Sequence, residues 1–389
     1  MKILGVVTSP RCAKISEQEL KKLLMSEDVF DAIYDLGYKG NVSNSEALLL
    51  SAMWGANKEG ADVEVVYSVD DISSDFDGVV LSTPVYFGDR SSRLHDFIRN
   101  TNLKDKAVGI VSVGAKRNGG QETTNIYALY DCLDKGALIT GNGPPTAQYG
   151  GTGWAGNKTA IVNDDFGIKT SVGTGQQVTK LSRLIKSPQD NNKPNILFLV
   201  VTADPIDISF ADKFTNSNIK ILDITKENIK RCAACPVCPN GNLDAKYTCM
   251  IHKDGMSRMH DDIVAADCVV FVSGTDDTRF QVFIERTRFI RRNHFELSER
   301  VYSSVNITTS VTDILPIRIM TNMLRQNMFG LPFFKEFRGI TNVDIDDYVN
   351  TIEKYAKKSI TLRKLSGVDY EYTAVGYEDA KINEKAYRD

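Results

Sequence analysis

Two rhythms alternate along the first half of the chain. Short runs of aliphatic and β-branched residues, Ile3–Thr8, Asp62–Tyr67, Gly78–Ser82, Ala107–Val113 and Ala137–Thr140, read as buried strands. Between them lie stretches with helical spacing at Ser45–Lys58, Ser92–Asn100 and Thr123–Lys135, and a further one follows at Gly175–Lys186. Apolar strands separated by helices imply right-handed crossovers and a doubly wound parallel α/β sheet covered on both faces. About thirty residues, 12–40, interrupt the first strand–helix connection, with a helical piece at Glu17–Met25 and an aromatic piece at Phe30, Tyr34 and Tyr38. An insertion of that length is expected to be a flap over a site or an interface element.

The pattern then restarts. Ser187–Pro194 is polar and turn-rich, as in a linker, and separates a domain spanning 1–187 from one spanning 193–389. Asn195–Val201, Ile219–Ile224 and Cys268–Ser273 repeat the strand sequence, and Asp77-Gly78-Val79-Val80-Leu81-Ser82 aligns with Asp267-Cys268-Val269-Val270-Phe271-Val272-Ser273. Two tandem copies of one fold account for the length.

Candidate chemistry gathers at the ends of the strands. In open α/β sheets ligands bind outside the carboxyl ends of the strands. Thr83-Pro84-Val85-Tyr86-Phe87-Gly88 follows one apolar run and offers a stiff turn, two flat faces and a glycine; a strand–helix turn with half-buried aromatics has the same composition. Gly114 to Gln121, with Gly119 and Gly120, follows the neighbouring strand. Ser9, Pro10 and Arg11 leave the first strand, and Ser43, Asn44 and Ser45 open a helix, so hydroxyls, backbone N–H groups and a helix dipole are available to an anion.

These loops, Ser9-Pro10-Arg11, Ser43-Asn44-Ser45-Glu46-Ala47, Thr83-Pro84-Val85-Tyr86-Phe87-Gly88 and Gly119-Gly120-Gln121-Glu122, resemble the signature loops of the NADPH-dependent FMN reductase family, which includes iron–sulfur flavoproteins and has a flavodoxin-like fold. The resemblance covers most of 1–187 outside the insertion. It implies FMN, with the phosphate at Ser9, Arg11, Ser43, Asn44 and Ser45, and Pro84, Val85, Tyr86, Phe87, Gly88, Gly119, Gly120 and Gln121 beside the isoalloxazine. Thr83 and Gly114 complete the candidate cofactor-binding set. The whole chain is then expected to be two tandem flavodoxin-like sheets, the second degenerate. Its would-be phosphate turn carries Asp204 and Asp207, and its counterpart of the Pro84 loop, Gly274–Thr278, lacks both Pro and Tyr.

Cysteine usage adds a second centre. Four of the seven cysteines, Cys232, Cys235, Cys238 and Cys249, fall in a C-x2-C-x2-C-x10-C pattern. Three thiolates at that spacing and a fourth to close the set are the logic of a [4Fe–4S] cluster. Zinc, which draws on two separate ligand pairs, and free thiols are the alternatives. The basic run Arg286–Arg292 reads as a solvated helix face, and Met320, Met323, Leu324 and Met328 as core or interface.

Composition limits the rest. A formal net charge of −3 over 389 residues gives no general nucleic-acid surface, and no apolar run reaches the roughly 20 residues of a membrane span. The N-terminal strand and the clustered thiols suggest a cytoplasmic protein. The expectation is an FMN-dependent oxidoreductase moving electrons between a [4Fe–4S] cluster and FMN, with no side chain as catalyst. Its partners would be a ferredoxin-like carrier or NAD(P)H and a small-molecule or protein acceptor, and it would be a homo-oligomer. An NAD(P)H-dependent quinone or FMN reductase with a structural zinc, and a non-catalytic redox carrier or sensor, are the alternatives.

Overall fold

The computed structural model describes residues 1–67, 75–156, 161–235, 238, 247–275, 278–308, 314–337, 340–341 and 344–367. The chain forms two compact units, Met1–Gly143 with Ala147–Lys186, and Pro144–Thr146 with Ser187–Asp389. Among the described residues no helix is long and apolar enough to cross a membrane.

In the first unit five parallel strands, β1 (Lys2–Val7), β2 (Asp62–Val66), β3 (Gly78–Pro84), β4 (Ala107–Gly114) and β5 (Leu138–Ile139), lie in the order β2-β1-β3-β4-β5. This is the flavodoxin-like order, whose switch point falls between β1 and β3. The central strands β3 and β4 are buried along almost their whole length, which is why their sequences are mostly apolar rather than alternating. A sixth strand, β6 (Gly151–Trp154), extends the parallel pairing along the carboxyl half of β4. Its sequence, Gly-Thr-Gly-Trp, carries no strand rhythm. Its glycines are demanded by packing, since a Cβ on Gly153 would sit 2.4 Å from Leu48.

The insertion folds as two helices, α1 (Glu17–Met25) and α2 (Val29–Tyr38). α1 opens on a capping box in which Ser16 and Glu19 satisfy each other's backbone N–H groups. Phe30, Tyr34 and Tyr38 share one face of α2 at four-residue spacing, and the two tyrosine rings stack with centroids 5.8 Å apart. The Trp54 indole donates to the Ser26 carbonyl at 3.1 Å and ties the insertion to α3 (Asn44–Lys58). The remaining helices of the unit are α4 (Ser92–Asn100), α5 (Gln121–Asp134) and α6 (Asp165–Lys186).

α6 begins ten residues earlier than its sequence suggests, because its glycines act as contacts rather than breaks. A Cβ on Gly175 would lie 1.8 Å from the Ala52 carbonyl oxygen of α3, and one on Gly55 would lie 2.2 Å from the Val172 carbonyl oxygen. Buried hydroxyls at Thr174, Thr179 and Ser182 return their hydrogen bonds to carbonyls one turn back.

The second unit repeats the plan. β7 (Asn195–Val200), β8 (Asn218–Asp223), β9 (Cys268–Ser273), β10 (Val301–Thr308) and β11 (Phe329–Gly330) are parallel in the order β8-β7-β9-β10-β11, and β12 (Phe334–Phe337) and β13 (Ile340–Thr341) add a small ribbon beside β10. Its helices are α7 (Gly255–Ala265), α8 (Thr278–Arg286), α9 (Arg288–Arg292), α10 (Leu315–Arg325) and α11 (Ile345–Ser366). The aligned aspartates do the same work in both units. Asp77 accepts from the Lys2 N–H and Asp267 from the Asn195 N–H, each at 2.8 Å, fixing the start of the first strand. Each is also paired with a helix cation, Lys186 of α6 for Asp77 and Arg363 of α11 for Asp267.

Met320, Met323, Leu324 and Met328 are buried, as their helical spacing suggests. The basic run is not a solvated face. Arg286 and Arg292 are 2% and 3% exposed, because α8 and α9 turn these cations inward.

Candidate functional site

The first unit carries a cleft of about 810 Å³ at the carboxyl ends of β1, β3 and β4. Ser9, Arg11, Ser43, Asn44 and Ser45 line one end of it. Pro84, Val85, Tyr86 and Gly114 line it from the β3 and β4 loops. Nine of the expected cofactor residues thus face one space, although they come from four separate stretches of chain.

The first end is suited to an anion. Ser43 caps α3 through its hydroxyl, which accepts from the Glu46 N–H at 3.3 Å. The N–H groups of Asn44 and Ser45 belong to the first turn, where a helix offers no internal acceptor. Arg11 stands exposed at the end of a turn in which its N–H bonds the Ser9 hydroxyl at 3.2 Å.

Glu46 holds this end together and is not singled out by sequence reading as a site residue. Its carboxylate is fully buried and accepts from the N–H groups of Ala13 at 2.8 Å, Lys14 at 2.9 Å and Ser43 at 3.0 Å. One carboxylate therefore fastens the turn after β1 to the start of α3, across the insertion. The nearby Tyr67 hydroxyl is pushed well above the ordinary phenol range, first by burial and then by the Glu46 charge, and it accepts from the Ile15 N–H at 3.1 Å. The signal for Glu46 was its place three residues after Ser43, the capping-box position. The end of the insertion, Gly37 to Gly40, also lines the cleft, with Tyr38 standing 74% exposed at its rim.

Thr83, Phe87, Gly88, Gly119, Gly120 and Gln121 shape the loops without lining the cleft. The buried Thr83 hydroxyl accepts from the Ser91 N–H at 3.0 Å and anchors the end of β3 to α4. Tyr86 and Asp89 exchange backbone hydrogen bonds of 2.7 and 3.0 Å around a two-residue turn. Both residues of that turn are left-handed, Phe87 at φ 53° and Gly88 at φ 81°. Gly88 meets Gly120, on which a Cβ would lie 2.7 Å from the Gly88 Cα, so the two loops touch backbone to backbone. Gln121 is an internal brace. Its amide accepts from the Gly119 N–H at 2.8 Å and donates to the carbonyls of Lys116 at 2.7 Å and Gly153 at 2.9 Å. Arg117 adds an ion pair to the buried Asp164, which also accepts from the Trp154 N–H at 2.7 Å.

Of the four clustered cysteines, Cys238 and Cys249 meet in a hydrogen bond. That bond pushes the Cys238 thiol up and the Cys249 thiol down. Cys235 acts on Cys238 through its charge. Among the described residues no group of three or more ligand-type side chains is gathered around one point. Pro236, Val237 and 239–246 lie outside the described residues.

The corresponding turn of the second unit carries an acidic side chain. Asp204 accepts from the Thr275 N–H at 2.7 Å, a bond that holds its carboxyl below the usual range. An acidic side chain thus stands in the turn after β7, bonded to the loop after β9. Asp276 and Asp277 lie outside the described residues.

The profile of the family described as NADPH-dependent FMN reductase matches residues 1–127. An iron–sulfur flavoprotein of Methanocaldococcus jannaschii is 32% identical over 198 residues, which span 48% of this chain and 100% of that protein. An iron–sulfur flavoprotein of Methanosarcina thermophila is 27% identical over 206 residues, spanning 49% of this chain and 100% of that protein. A solved flavone reductase aligns over 50% of this chain and 68% of its own, at 17% identity and a TM-score of 0.33.

Proposed function

Because the chain belongs to the NADPH-dependent FMN reductase and iron–sulfur flavoprotein family, we propose that the first-unit cleft seats FMN and that Cys232, Cys235, Cys238 and Cys249 hold a [4Fe–4S] cluster exchanging electrons with it. The protein is a flavin-dependent oxidoreductase. The observation that carries the finer reading is the order of chemistry along one cleft. A helix start, three serines and Arg11 line it from β1 and α3, and the Pro84–Tyr86 and Gly114 loops line it from β3 and β4.

The residues would divide the work. Ser9, Ser43, Ser45, Asn44 and Arg11 would hold a phosphate through hydroxyls, first-turn N–H groups and one positive charge. Pro84, Val85 and Tyr86 would flank a planar ring, and the backbone around Gly114 would approach it. Glu46, Gln121 and the Arg117–Asp164 pair keep those loops in place before any ligand arrives. FMN, when bound, supplies the redox chemistry, taking a hydride or single electrons and so linking a two-electron partner to a one-electron cluster. No side chain needs to act as a nucleophile.

The setting we propose is a cytoplasmic homo-oligomer drawing electrons from a ferredoxin-like carrier or NAD(P)H and passing them to a small-molecule or protein acceptor. A second reading, an NAD(P)H-dependent quinone reductase with zinc at the cysteines, is favoured by the open rim, where Tyr38 and Tyr86 are 74% and 50% exposed. Anaerobic purification separates the two. The first reading expects flavin absorbance together with iron and acid-labile sulfide. Flavin with zinc and no sulfide leaves the second, and absence of flavin sinks both.

A further inference from the structure

Buried ion pairs are often replaceable by apolar residues at little cost in stability, so a fully buried pair tied into the edges of a cysteine loop calls for another explanation. Arg286 and Asp254 form such a pair at 2.5 Å, each side chain 1% exposed. Arg286 comes from the end of α8, in the basic run whose sequence reads as solvated.

Its guanidinium reaches both borders of the cysteine segment. Nη1 donates to the Lys230 carbonyl at 2.8 Å, two residues before Cys232. Asp254 accepts from the Lys230 N–H at 3.0 Å, so Lys230 is held from both sides. Nη2 donates to the Tyr247 hydroxyl at 3.0 Å and the Ile251 carbonyl at 3.2 Å, residues that flank Cys249 two positions to either side. The Tyr247 hydroxyl in turn donates to the Ile251 carbonyl at 2.8 Å. Asp254 also caps α7 through the Ser257 N–H at 3.1 Å, which connects the assembly to a rigid element. The buried Arg286 Nε has no acceptor among the described residues.

We propose that Arg286 is a positioning residue for the cysteine-bound cluster: clamped by Asp254, it closes the two ends of the ligand loop on each other and sets a buried positive charge beside Cys249. The proposal rests on the [4Fe–4S] reading of the four cysteines. Two physical consequences follow. A pre-closed loop lowers the ordering cost of gathering four thiolates, so the cluster is retained against loss. A fixed cation favours the more negative, reduced form, because cluster potentials follow net charge, hydrogen bonds to sulfur and solvent exposure. Arg292, buried on α9, acts on Cys238 in the same electrostatic sense. The inward face of the basic run is then a counter-charge for the thiolates.

The test uses the full chain, reconstituted anaerobically with iron and sulfide, in wild-type, Arg286→Gln and Arg286→Lys forms. Iron and sulfide per chain, cluster loss under a chelator and the midpoint potential are measured. Arg286→Gln is expected to lose its cluster several-fold faster than wild type and to show a more negative potential in the loaded fraction. Arg286→Lys, which keeps the charge but not the planar fork, is expected to keep a near-native potential while still losing the cluster faster. Equal retention and equal potential in wild type and Arg286→Gln would overturn the proposal. If Arg286→Gln does not fold, Tyr247→Phe decides, because it keeps the ion pair and removes one strut. Faster loss at an unchanged melting temperature supports the proposal, and unchanged loss overturns it. Zinc without sulfide in the wild type defeats the cluster reading itself and is distinguished from failure of the Arg286 role by metal analysis alone.

Discussion

At the scale of single residues, opposing demands at one position make the phosphate end testable. Asn44 stands in the first turn of α3 and lines the cleft. A carboxylate there favours the helix dipole by about 0.3–1 kcal/mol. The same carboxylate repels a phosphate within a few ångströms by roughly 2–4 kcal/mol at an effective dielectric near 20. Asn44→Asp is therefore expected to leave thermal stability unchanged or slightly raised while weakening FMN binding about 30-fold or more, read by quenching of flavin fluorescence on titration. Equal weakening of fold and binding would point to a structural Asn44 instead. Phe87 shows the opposite economy. It is fully exposed and left-handed, a conformation that costs a non-glycine residue about 1–3 kcal/mol. Phe87→Asn would create the Asn-Gly pair such a turn prefers. A gain of about 1 kcal/mol, or ~2–4 °C in the melting temperature, is expected by calorimetry.

Elements were legible wherever burial wrote a simple period. Strands β1, β3, β4, β7 and β9 each hold a run of apolar residues and could be placed to within a residue or two. β6 was not legible, because its glycines answer to neighbours distant in sequence. The start of α6 was hidden for the same reason, since a glycine in a helix reads as a break until the facing helix is known. Gly175→Ala measures that contact. Alanine is the better helix former by about 1 kcal/mol, yet its Cβ would meet the Ala52 carbonyl oxygen at 1.8 Å. A net loss of about 1–3 kcal/mol is expected on denaturant unfolding. A gain would show that α3 and α6 can separate freely. The cleft was legible in its lining, from Ser9 to Gly114, but not in its supports. Glu46 carries only its capping-box spacing from Ser43, which does not announce the bonds it makes across the insertion, and Asp164 reaches the Trp154 N–H with no local pattern at all.

At the scale of the molecule, one strand plan carried by two units organises what is seen. Both units share one strand order and the same aspartate at the foot of their first strand. They differ where chemistry would sit. The first keeps a polar, anion-ready turn, whereas the second places Asp204 in the equivalent turn and carries the cysteine loop with its buried arginines. The basic run misled sequence reading because four arginines in seven residues look solvated unless a buried negative partner is known, and Asp254 lies far away in sequence. The division of labour has a direct numerical consequence. Apoprotein titrated with FMN, followed by flavin fluorescence and by mass of the complex, is expected to saturate at one FMN per chain, with affinity lost in Asn44→Asp and retained in Asp204→Asn. Saturation at two per chain, or binding indifferent to Asn44→Asp, would contradict a single flavin seat in the first-unit cleft.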